Sequence, residues 1–421
     1  MTLEQLARIR QDLLAFAESA FVSFARKDQR RWGEVYLRGL MLDGERKSVE
    51  PMSQRLPDAD RQSLQQFLTD SPWDPVPVRA AMARQMASLI APEAVVFDDT
   101  GFPKCGTESV GVARQYSGSM GKVGNCQIAV TTHLVTDTAS YPANWRLFLP
   151  EKTWDPSSPL CPDPDAVVAR RARCKVPPQA GHVEKWRLAL ESFDEMACDW
   201  QVAMPPLALA DAGYGDNFEF RQGLTDRGLA YVVGVKAGLV AQPAHAVPVQ
   251  TPYSGLGRRR SGPSYPEPAL TLTELATAAG RGAARPVSWR QGSKQRAGQM
   301  RTLRSKFLAI RVRPAGVAAL KHHHGAELPQ CWLLAEWPAD ADEPVQYWLS
   351  NLPEDTPIKS LVRWAKLRWR IEHDYREMKV GLGLDHFEGR TWRGFHHHVT
   401  LVAVAHAFIT RCRLGKPVAA A

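Results

Sequence analysis

The first 90 residues carry apolar side chains at helical spacing. Two further helices are predicted over 63–68 and 78–89, and a proline-containing break at 71–75 separates them. We therefore predict a helical N-terminal domain over residues 1–90, which serves either as a DNA-binding unit or as a packing lid. The first helix is marked by Leu6, Ile9, Leu13, Leu14 and Phe16.

From about residue 92 the pattern changes to short apolar runs separated by polar turns and amphipathic stretches. Strands that alternate with helices favour an α/β sheet. We therefore assign residues 91–235 to the first part of an α/β core. The predicted strands are 94–97, 127–135, 146–149, 207–210 and 230–235, and the predicted helices are 183–199 and 217–227.

A third pattern begins at residue 236, where Gly, Pro, Ser and Arg become frequent until about residue 300. Beyond it, strands are predicted over 307–312, 331–337 and 346–352, so residues 236–350 read as a β-rich basic insertion. Helical periodicity returns over 355–380 and 399–411. We therefore predict the second part of the core over 351–415, followed by a tail at 416–421.

Composition narrows the class of protein. The chain has 421 residues, 44% of them hydrophobic and 23% charged, which is typical of a soluble globular protein. No apolar run reaches the roughly 18 residues of a membrane span, and residues 1–5 lack a signal-peptide pattern, so we expect a cytoplasmic protein without a membrane partner. The seven cysteines form no CxxC pair, which argues against zinc ribbons and disulfide frameworks.

Positive charge is clustered rather than spread evenly. Lys and Arg total 53 against 44 Asp and Glu, a net charge of +9. Basic clusters occur at 170–175, at Arg258, Arg259 and Arg260, and over 281–313, which holds no acid. One such cluster is equally compatible with a solvated face, but several together favour a nucleic-acid backbone. Trp289, within the third cluster, is either a core residue or a platform on which an unpaired base stacks.

Two apolar strand-like runs end in carboxylates. Asp98 and Asp99 follow Val95–Phe97, and Asp211 follows Leu207–Ala210. Active sites of open α/β sheets lie at such strand ends, although an aspartate there also serves as a turn residue or helix N-cap. Neighbouring strand residues point to opposite faces, so only one of Asp98 and Asp99 can face a shared site.

A third carboxylate, Glu372, lies on a predicted helix. It sits at the edge of an apolar stripe, with Arg368 four positions before it and Lys379 seven positions after it on nearly the same face. The alternative is an Arg–Glu surface pair, and Asp374 and Glu377 are rival acids. Three carboxylates of this kind suit two hard cations such as Mg²⁺ that activate a water or hydroxyl in phosphodiester chemistry. The stripe consists of Trp364, Leu367, Ile371 and Met378.

The two histidine triplets, 322–324 and 396–398, are poor metal cages because consecutive residues on a helix face different ways. The second triplet follows Arg390, Trp392 and Arg393. For that stretch we predict contacts with DNA.

The spacing Arg368-x3-Glu372-x6-Lys379 resembles the R, E and K of the Y-R-E-K signature. That signature marks the cut-and-paste DDE transposases of bacterial insertion sequences. The tyrosine of the signature would fall at Ala365, where this chain departs from the pattern. The segments 97–104, 210–215 and 384–390 are similar to a subgroup described as DDE-superfamily endonucleases, and the resemblance spans about residues 90–410.

The resemblance implies a fold and a set of roles. The fold would be an α/β, RNase H-like catalytic core interrupted by a β-rich insertion, with the N-terminal helical domain before it. Asp99, Asp211 and Glu372 would be the catalytic acids and would hold two Mg²⁺ ions, with Mn²⁺ as a substitute. The DNA-binding residues would be Arg368, Lys379, Arg390, Trp392, Arg393, Trp289, Arg258, Arg259 and Arg260.

The implied activity is that of a DNA transposase: metal-dependent cleavage of transposon ends and strand transfer of the 3′ hydroxyl into target DNA. The partners would be double-stranded DNA with terminal inverted repeats, target DNA, and a second copy of the chain in a synaptic homodimer. Two alternatives remain. One is a domesticated transposase acting as a non-catalytic DNA-binding protein, and the other is a stand-alone RNase H-like endonuclease.

Overall fold

The computed structural model describes residues 2–118, 120–250, 262–294 and 300–415. The chain divides into two compact units. The first comprises Met1–Pro205 and Arg370–Ala421, and the second comprises Pro206–Trp369. These divisions differ from the boundaries predicted at 235/236 and 350/351.

The helices follow the predicted order along the chain. Their bounds are α1 Leu3–Ala20, α2 Lys27–Met41, α3 Val49–Arg55, α4 Arg61–Thr69, α5 Pro75–Ile90, α6 Glu151–Trp154, α7 Pro164–Arg173, α8 Lys185–Asp194, α9 Ala212–Gly215, α10 Phe218–Asp226, α11 Leu272–Ala279, α12 Val317–His322, α13 Ile358–Leu367, α14 Trp369–Arg376 and α15 Trp392–Leu414. Two π-helical segments, Glu195–Asp199 and Glu377–Gly381, extend α8 and α14.

The strands include a counterpart for every strand predicted from the apolar runs. Their bounds are β1 Ala94–Pro103, β2 Ala113–Ser117, β3 Lys122–Val135, β4 Ser140–Leu147, β5 Leu207–Ala210, β6 Ala230–Val235, β7 Val240–Pro243, β8 Leu270–Thr271, β9 Arg285–Lys294, β10 Met300–Pro314, β11 Cys331–Glu336 and β12 Gln346–Ser350. A mixed α/β architecture is therefore confirmed.

Strand β3 is the centre of the first unit. β1 pairs antiparallel with one edge of β3, with Asp98 opposite Thr131 and Asp99 opposite Val130. β2 and β4 pair antiparallel with β3 on its other edge. This arrangement fixes β1 along most of the length of β3, which anchors the acids at 98 and 99 in a rigid sheet.

Helices α1 to α5 do not form a core of their own. Their apolar faces belong to one continuous core with strands β1, β3 and β4 and with helix α15. Phe16 of α1, for example, packs on Phe408 of α15 at 5.4 Å between ring centroids. Such burial is the main stabilising term for short helices like these.

The second unit contains strands β5 to β12. Its strands are ordered β5, β6, β12, β11, β10, β7 and β8, with β9 paired to β10. β5 and β6 are parallel, and the remaining pairs are antiparallel. The β character predicted beyond residue 236 is therefore present, together with helices α11, α12 and α13.

The helical character predicted over 355–380 is present as α13, α14 and the π-helical segment Glu377–Gly381, with a single turn residue, Arg368, between the first two. The π-helical segment departs from the regular 3.6-residue period, so that period does not relate Glu372 to Lys379.

In the described part of the chain, no helix is both long enough and apolar enough to cross a membrane.

Candidate active site

Strand β1 presents Asp99 and buries Asp98. Every residue from Ala94 to Phe102 is buried except Asp99, whose side chain is 24% exposed. The Asp98 carboxylate instead points inward, and its Oδ1 accepts a hydrogen bond from the Asp99 backbone amide at 2.8 Å. The alternation of a strand thus separates the two acids, and Asp99 is the more accessible of the pair.

Asp99 has a cationic neighbour that the sequence patterns did not reveal. Lys185, the first residue of α8, places its Nζ 2.8 Å from Asp99 Oδ2. The same ammonium lies 5.5 Å from the centre of the Phe148 ring. Because 86 positions separate the two residues, no local pattern in the sequence could have paired them.

Glu372 lies on α14, and its side chain is exposed. Leu367, Ile371 and Met378 of the predicted apolar stripe are buried, while Trp364 is partly exposed beneath the Arg363 guanidinium. The burial of Ile371 directs the neighbouring Glu372 away from the core. Glu372 therefore lies beside the buried Ile371 on α14.

Tyr375 connects the helix of Glu372 to the strand of Asp99. Its hydroxyl contacts the Thr131 Oγ1 of β3. Thr131 Oγ1 in turn lies 3.2 Å from the carbonyl oxygen of Asp98 in β1. A short hydrogen-bonded path within the first unit therefore links the elements that carry Glu372 and Asp99.

Asp374, one of the rival acids, is buried and paired. Ser140 Oγ donates to Asp374 Oδ1 at 2.7 Å, His133 Nδ1 lies 3.4 Å from Oδ2, and His406 Nε2 lies 3.6 Å from Oδ1. Burial alone would raise the pKa of Asp374, but the hydrogen bonds to His133 and His406 outweigh it and hold the pKa below its usual range. Arg370 extends the network by donating to Ser140 Oγ at 3.1 Å.

Glu377, the other rival acid, shares His406 with Asp374. The His406 Nε2 lies 3.5 Å from Glu377 Oε2, and Arg413 Nη1 donates to the same oxygen at 2.8 Å. Burial lowers the pKa of His406, but its hydrogen bonds to the two carboxylates prevail and raise that pKa to about 9. Asp374 and Glu377 thus fasten α14 and its π-helical extension to β3, β4 and α15.

Asp211, in the second unit, follows β5 and caps α9. Its Oδ1 accepts a hydrogen bond from the Gly213 backbone amide at 2.9 Å, so the N-cap role considered for this residue is present. α9 packs closely on β6 at Gly215, where a Cβ atom would lie 2.0 Å from the Gly234 carbonyl oxygen. The cap uses Oδ1, one of the two carboxylate oxygens.

Lys379 is largely buried in the π-helical segment. Its Nζ donates to the Gly101 carbonyl oxygen of β1 at 2.8 Å and lies 5.9 Å from the centre of the Phe102 ring. Burial lowers the pKa of this ammonium below its usual range. The Lys379 ammonium therefore lies beside Gly101, which is two positions after Asp99 on β1.

The other predicted DNA-binding residues lie in different environments. Arg390 and Arg393 are exposed, and Trp392 and Arg368 are partly exposed. Trp289 is partly buried in the second unit, at right angles to the Phe307 ring and 5.2 Å from the Lys366 ammonium. Arg258, Arg259 and Arg260 lie outside the described residues.

The predicted DNA contact by His396–His398 is wrong, because all three side chains are buried in α15. The His397 ring stacks on Trp73 with 3.6 Å between ring centroids. Burial lowers the pKa of His397 and of His398 to about 4, so both are neutral near pH 7. Their hydrogen-bond partners are Arg79 for His396, the carbonyl oxygens of Leu68 and Trp73 for His397, and Tyr36 together with the carbonyl oxygens of Gly383 and Leu384 for His398.

The metal prediction has support from donor chemistry. Asp99, Asp211 and Glu372 offer carboxylate oxygens, which are ligands suited to Mg²⁺. Among the residues that the structure describes, no three His, Cys, Asp or Glu side chains are grouped so as to hold a metal ion. All seven cysteines are free thiols, as predicted.

Several residues that build this site carried no recognisable signal in the sequence. Thr131, His133 and Ser140 lie in ordinary strand runs, and Lys185 and His406 in ordinary helical ones. The rival acids at 374 and 377 were noticed, but their pairing depends on distant parts of the chain.

Two known proteins that resemble the chain are transposases. The probable transposase of insertion sequence element IS701 from Microchaete diplosiphon is 29% identical over 116 residues, which are 27% of this chain. The match spans 30% of the length of that relative. A cryo-EM structure of the piggyBac transposase synaptic complex with hairpin DNA overlaps 97% of this chain and 80% of its own, at 10% identity. Its TM-score of 0.34 supports no inference.

The model of the family described as DDE superfamily endonuclease matches residues 20–296, which is more than half of the chain. The chain therefore belongs to the DDE superfamily endonuclease family.

Proposed function

We propose that the protein is a DNA transposase that cleaves the ends of its element and transfers the freed 3′ hydroxyl to target DNA. Asp99, Asp211 and Glu372 are its catalytic carboxylates, held on an RNase H-like core. Family membership and the partial similarity to a probable transposase support this proposal.

One observation carries the proposal furthest. Asp99 is the accessible acid of an otherwise buried strand, and the exposed Glu372 lies on a helix that Tyr375 and Thr131 connect to that strand. Rigid support of this kind is what a catalytic carboxylate requires, because a displacement of about 1 Å is enough to lower the rate by about a hundredfold.

Mg²⁺ ions, or Mn²⁺ in their place, would be held by the three carboxylates, and when bound they supply an activated water and stabilise the leaving oxygen. The chain's own part is to orient the DNA. Arg368 precedes Glu372 by four positions in the sequence and Lys379 lies beside β1, and charge-assisted donors of this type bind backbone phosphate. A synaptic homodimer would bring two inverted-repeat ends together.

The remaining basic residues would bind the DNA at positions outside the cleavage site. Arg390 and Arg393 are exposed, so they are available to phosphate. We assign the same role to Trp392, to Trp289 and to Arg258, Arg259 and Arg260, and to the N-terminal helices up to residue 90.

The test uses linear DNA that carries the inverted repeats flanking the gene, incubated with Mg²⁺ and the full-length protein. Asp99→Asn, Asp211→Asn and Glu372→Gln should each lower nicking by roughly a hundredfold or more, because a metal ligand contributes several kcal/mol to the transition state. Asp98→Asn is the matched control and should keep most of the activity in the fraction that folds.

Equal activity of Asp98→Asn and Asp99→Asn would refute the assignment of the first acid. Nicks without strand-transfer products would identify a stand-alone endonuclease. Binding of the DNA ends by the wild type without any cleavage would identify a non-catalytic DNA-binding protein.

A further inference from the structure

Lys185 forms an ion pair with Asp99 in the first unit, and it has no role in the proposed function so far. Lys185 Nζ lies 2.8 Å from Asp99 Oδ2, and the two side chains are 32% and 24% exposed. The pair is thus partly desolvated, and its attraction is screened less than that of a surface pair.

The position of Lys185 is unfavourable for a cation. It is the first residue of the ten-residue helix α8, and the positive end of the helix dipole repels an ammonium there. The Asp99 carboxylate and the face of the Phe148 ring offset this repulsion.

Lys185 differs from Lys379 in the kind of partner it has. Lys379 donates to a backbone carbonyl of β1, a neutral acceptor fixed in the sheet. Lys185 pairs with a side-chain carboxylate, which a competing cation can take from it. A lysine carries its charge on a flexible four-carbon stem, so it can release one anion and reach another.

We infer that Lys185 is the internal counter-cation of Asp99 in the metal-free protein, and that it exchanges Asp99 for a phosphate of bound DNA when a divalent ion takes the carboxylate. This inference builds on the proposed function, because it requires Asp99 to be a metal ligand. The ammonium would balance the negative charge of Asp99 before metal and DNA arrive. Afterwards it would donate hydrogen bonds to a DNA phosphate.

The first test measures Mn²⁺ binding to the DNA-free protein by electron paramagnetic resonance of the unbound ion. Lys185→Met removes the competitor and should tighten Mn²⁺ binding about three- to tenfold, the range expected for a partly buried ion pair. Lys185→Arg keeps a cation beside Asp99 and should leave the affinity close to that of the wild type. Asp99→Asn should weaken Mn²⁺ binding.

Lys175→Met is the matched control, because Lys175 Nζ lies 2.9 Å from Asp70 Oδ1 in an exposed pair outside the site. It should leave Mn²⁺ affinity unchanged. Thermal unfolding of each variant identifies the folded fraction for which the affinity is calculated.

The second test measures cleavage of DNA ends at saturating Mn²⁺. Lys185→Met should raise the KM for DNA because the ammonium that binds phosphate is removed, and Lys185→Arg should restore most of the wild-type KM. An unchanged KM for Lys185→Met would overturn the phosphate half of the inference.

Failure of the inference can be distinguished from failure of the proposed function. If Asp99→Asn weakens Mn²⁺ binding and Lys185→Met leaves it unchanged, the counter-cation inference is wrong while the proposed function stands. If Asp99→Asn leaves Mn²⁺ binding unchanged, Asp99 is not a metal ligand and both are wrong.

Discussion

Acids of the same chemical type have different roles along residues 372–377. Glu372 is exposed, whereas Asp374 is buried against His133 and His406, and Glu377 is held by His406 and Arg413. Burial of a carboxylate is costly unless cations or hydrogen bonds compensate for it, and here they do. The two paired acids therefore stabilise the position of the helix that carries Glu372.

The pKa of His406 leads to a prediction about stability and pH. Because that pKa is raised from 6.5 to about 9 in the folded state, protonated His406 contributes fully to folding below pH 6.5 and loses its contribution as pH rises through 9. We expect the free energy of unfolding of wild type and His406→Gln to differ most near pH 6. The difference should shrink by on the order of 3 kcal/mol by about pH 10.

Urea unfolding at a series of pH values measures this difference. His406 pairs with Asp374 and Glu377, which also contact His133 and Arg413 respectively, and all four of these residues remain in the variant. His322→Gln, at an exposed position of α12, serves as the control. A difference that stays constant with pH would show that His406 is not charged in the folded protein.

At the scale of elements, α14 is held by side chains from three directions. Tyr375 contacts Thr131 of β3, Asp374 accepts from Ser140 of β4, and His406 of α15 bridges two carboxylates. A π-helical segment follows, and such irregular turns often occur at functional sites. Residues that neighbour Glu372 in sequence thus fix its helix to β3, β4 and α15.

The contact between Tyr375 and Thr131 predicts coupling between stability and activity. Tyr375→Phe removes the hydroxyl and should lower the free energy of unfolding by about 0.5–1.5 kcal/mol. DNA cleavage should slow at saturating metal and DNA, because α14 loses its link to β1. A double-mutant cycle that combines Tyr375→Phe with Thr131→Val should give a coupling free energy of at least about 0.5 kcal/mol.

Tyr116→Phe is the matched control, since Tyr116 is 63% exposed on β2. Strictly additive effects of Tyr375→Phe and Thr131→Val, in both stability and cleavage, would contradict the proposed link.

At the scale of the whole molecule, charge is the property that favours DNA. A net charge of +9 is modest for this length, and clusters such as Arg258–Arg260 concentrate it. A protein that neutralises phosphates releases counterions, so its affinity falls with salt in proportion to the number of phosphates neutralised.

We expect the variant with Arg258→Ala, Arg259→Ala and Arg260→Ala to bind DNA more weakly at every salt concentration. The slope of log affinity against log salt should become shallower by about 0.9 for each phosphate that the variant no longer neutralises. Fluorescence anisotropy with labelled duplex DNA at several salt concentrations measures this slope.

Lys236→Ala tests whether any loss of surface charge has the same effect, because Lys236 is 77% exposed and pairs with Asp216. An unchanged slope in the triple variant would exclude this cluster from the DNA-binding surface.

Local sequence patterns were sufficient to predict individual elements. The strands at 207–210 and 230–235 are found as predicted, because alternation and apolar runs depend only on neighbouring residues. The same local rule separated Asp98 from Asp99, since adjacent strand residues face opposite ways.

Which side chains meet, in contrast, became visible only in the folded chain. His397 stacks on Trp73 and is buried, although its triplet looked like a basic surface segment, because α15 packs against the N-terminal helices. Lys185 meets Asp99, and Asp374 meets His133 and His406, across long separations in sequence. Such pairings depend on burial and packing between distant segments, which periodicity and spacing do not encode.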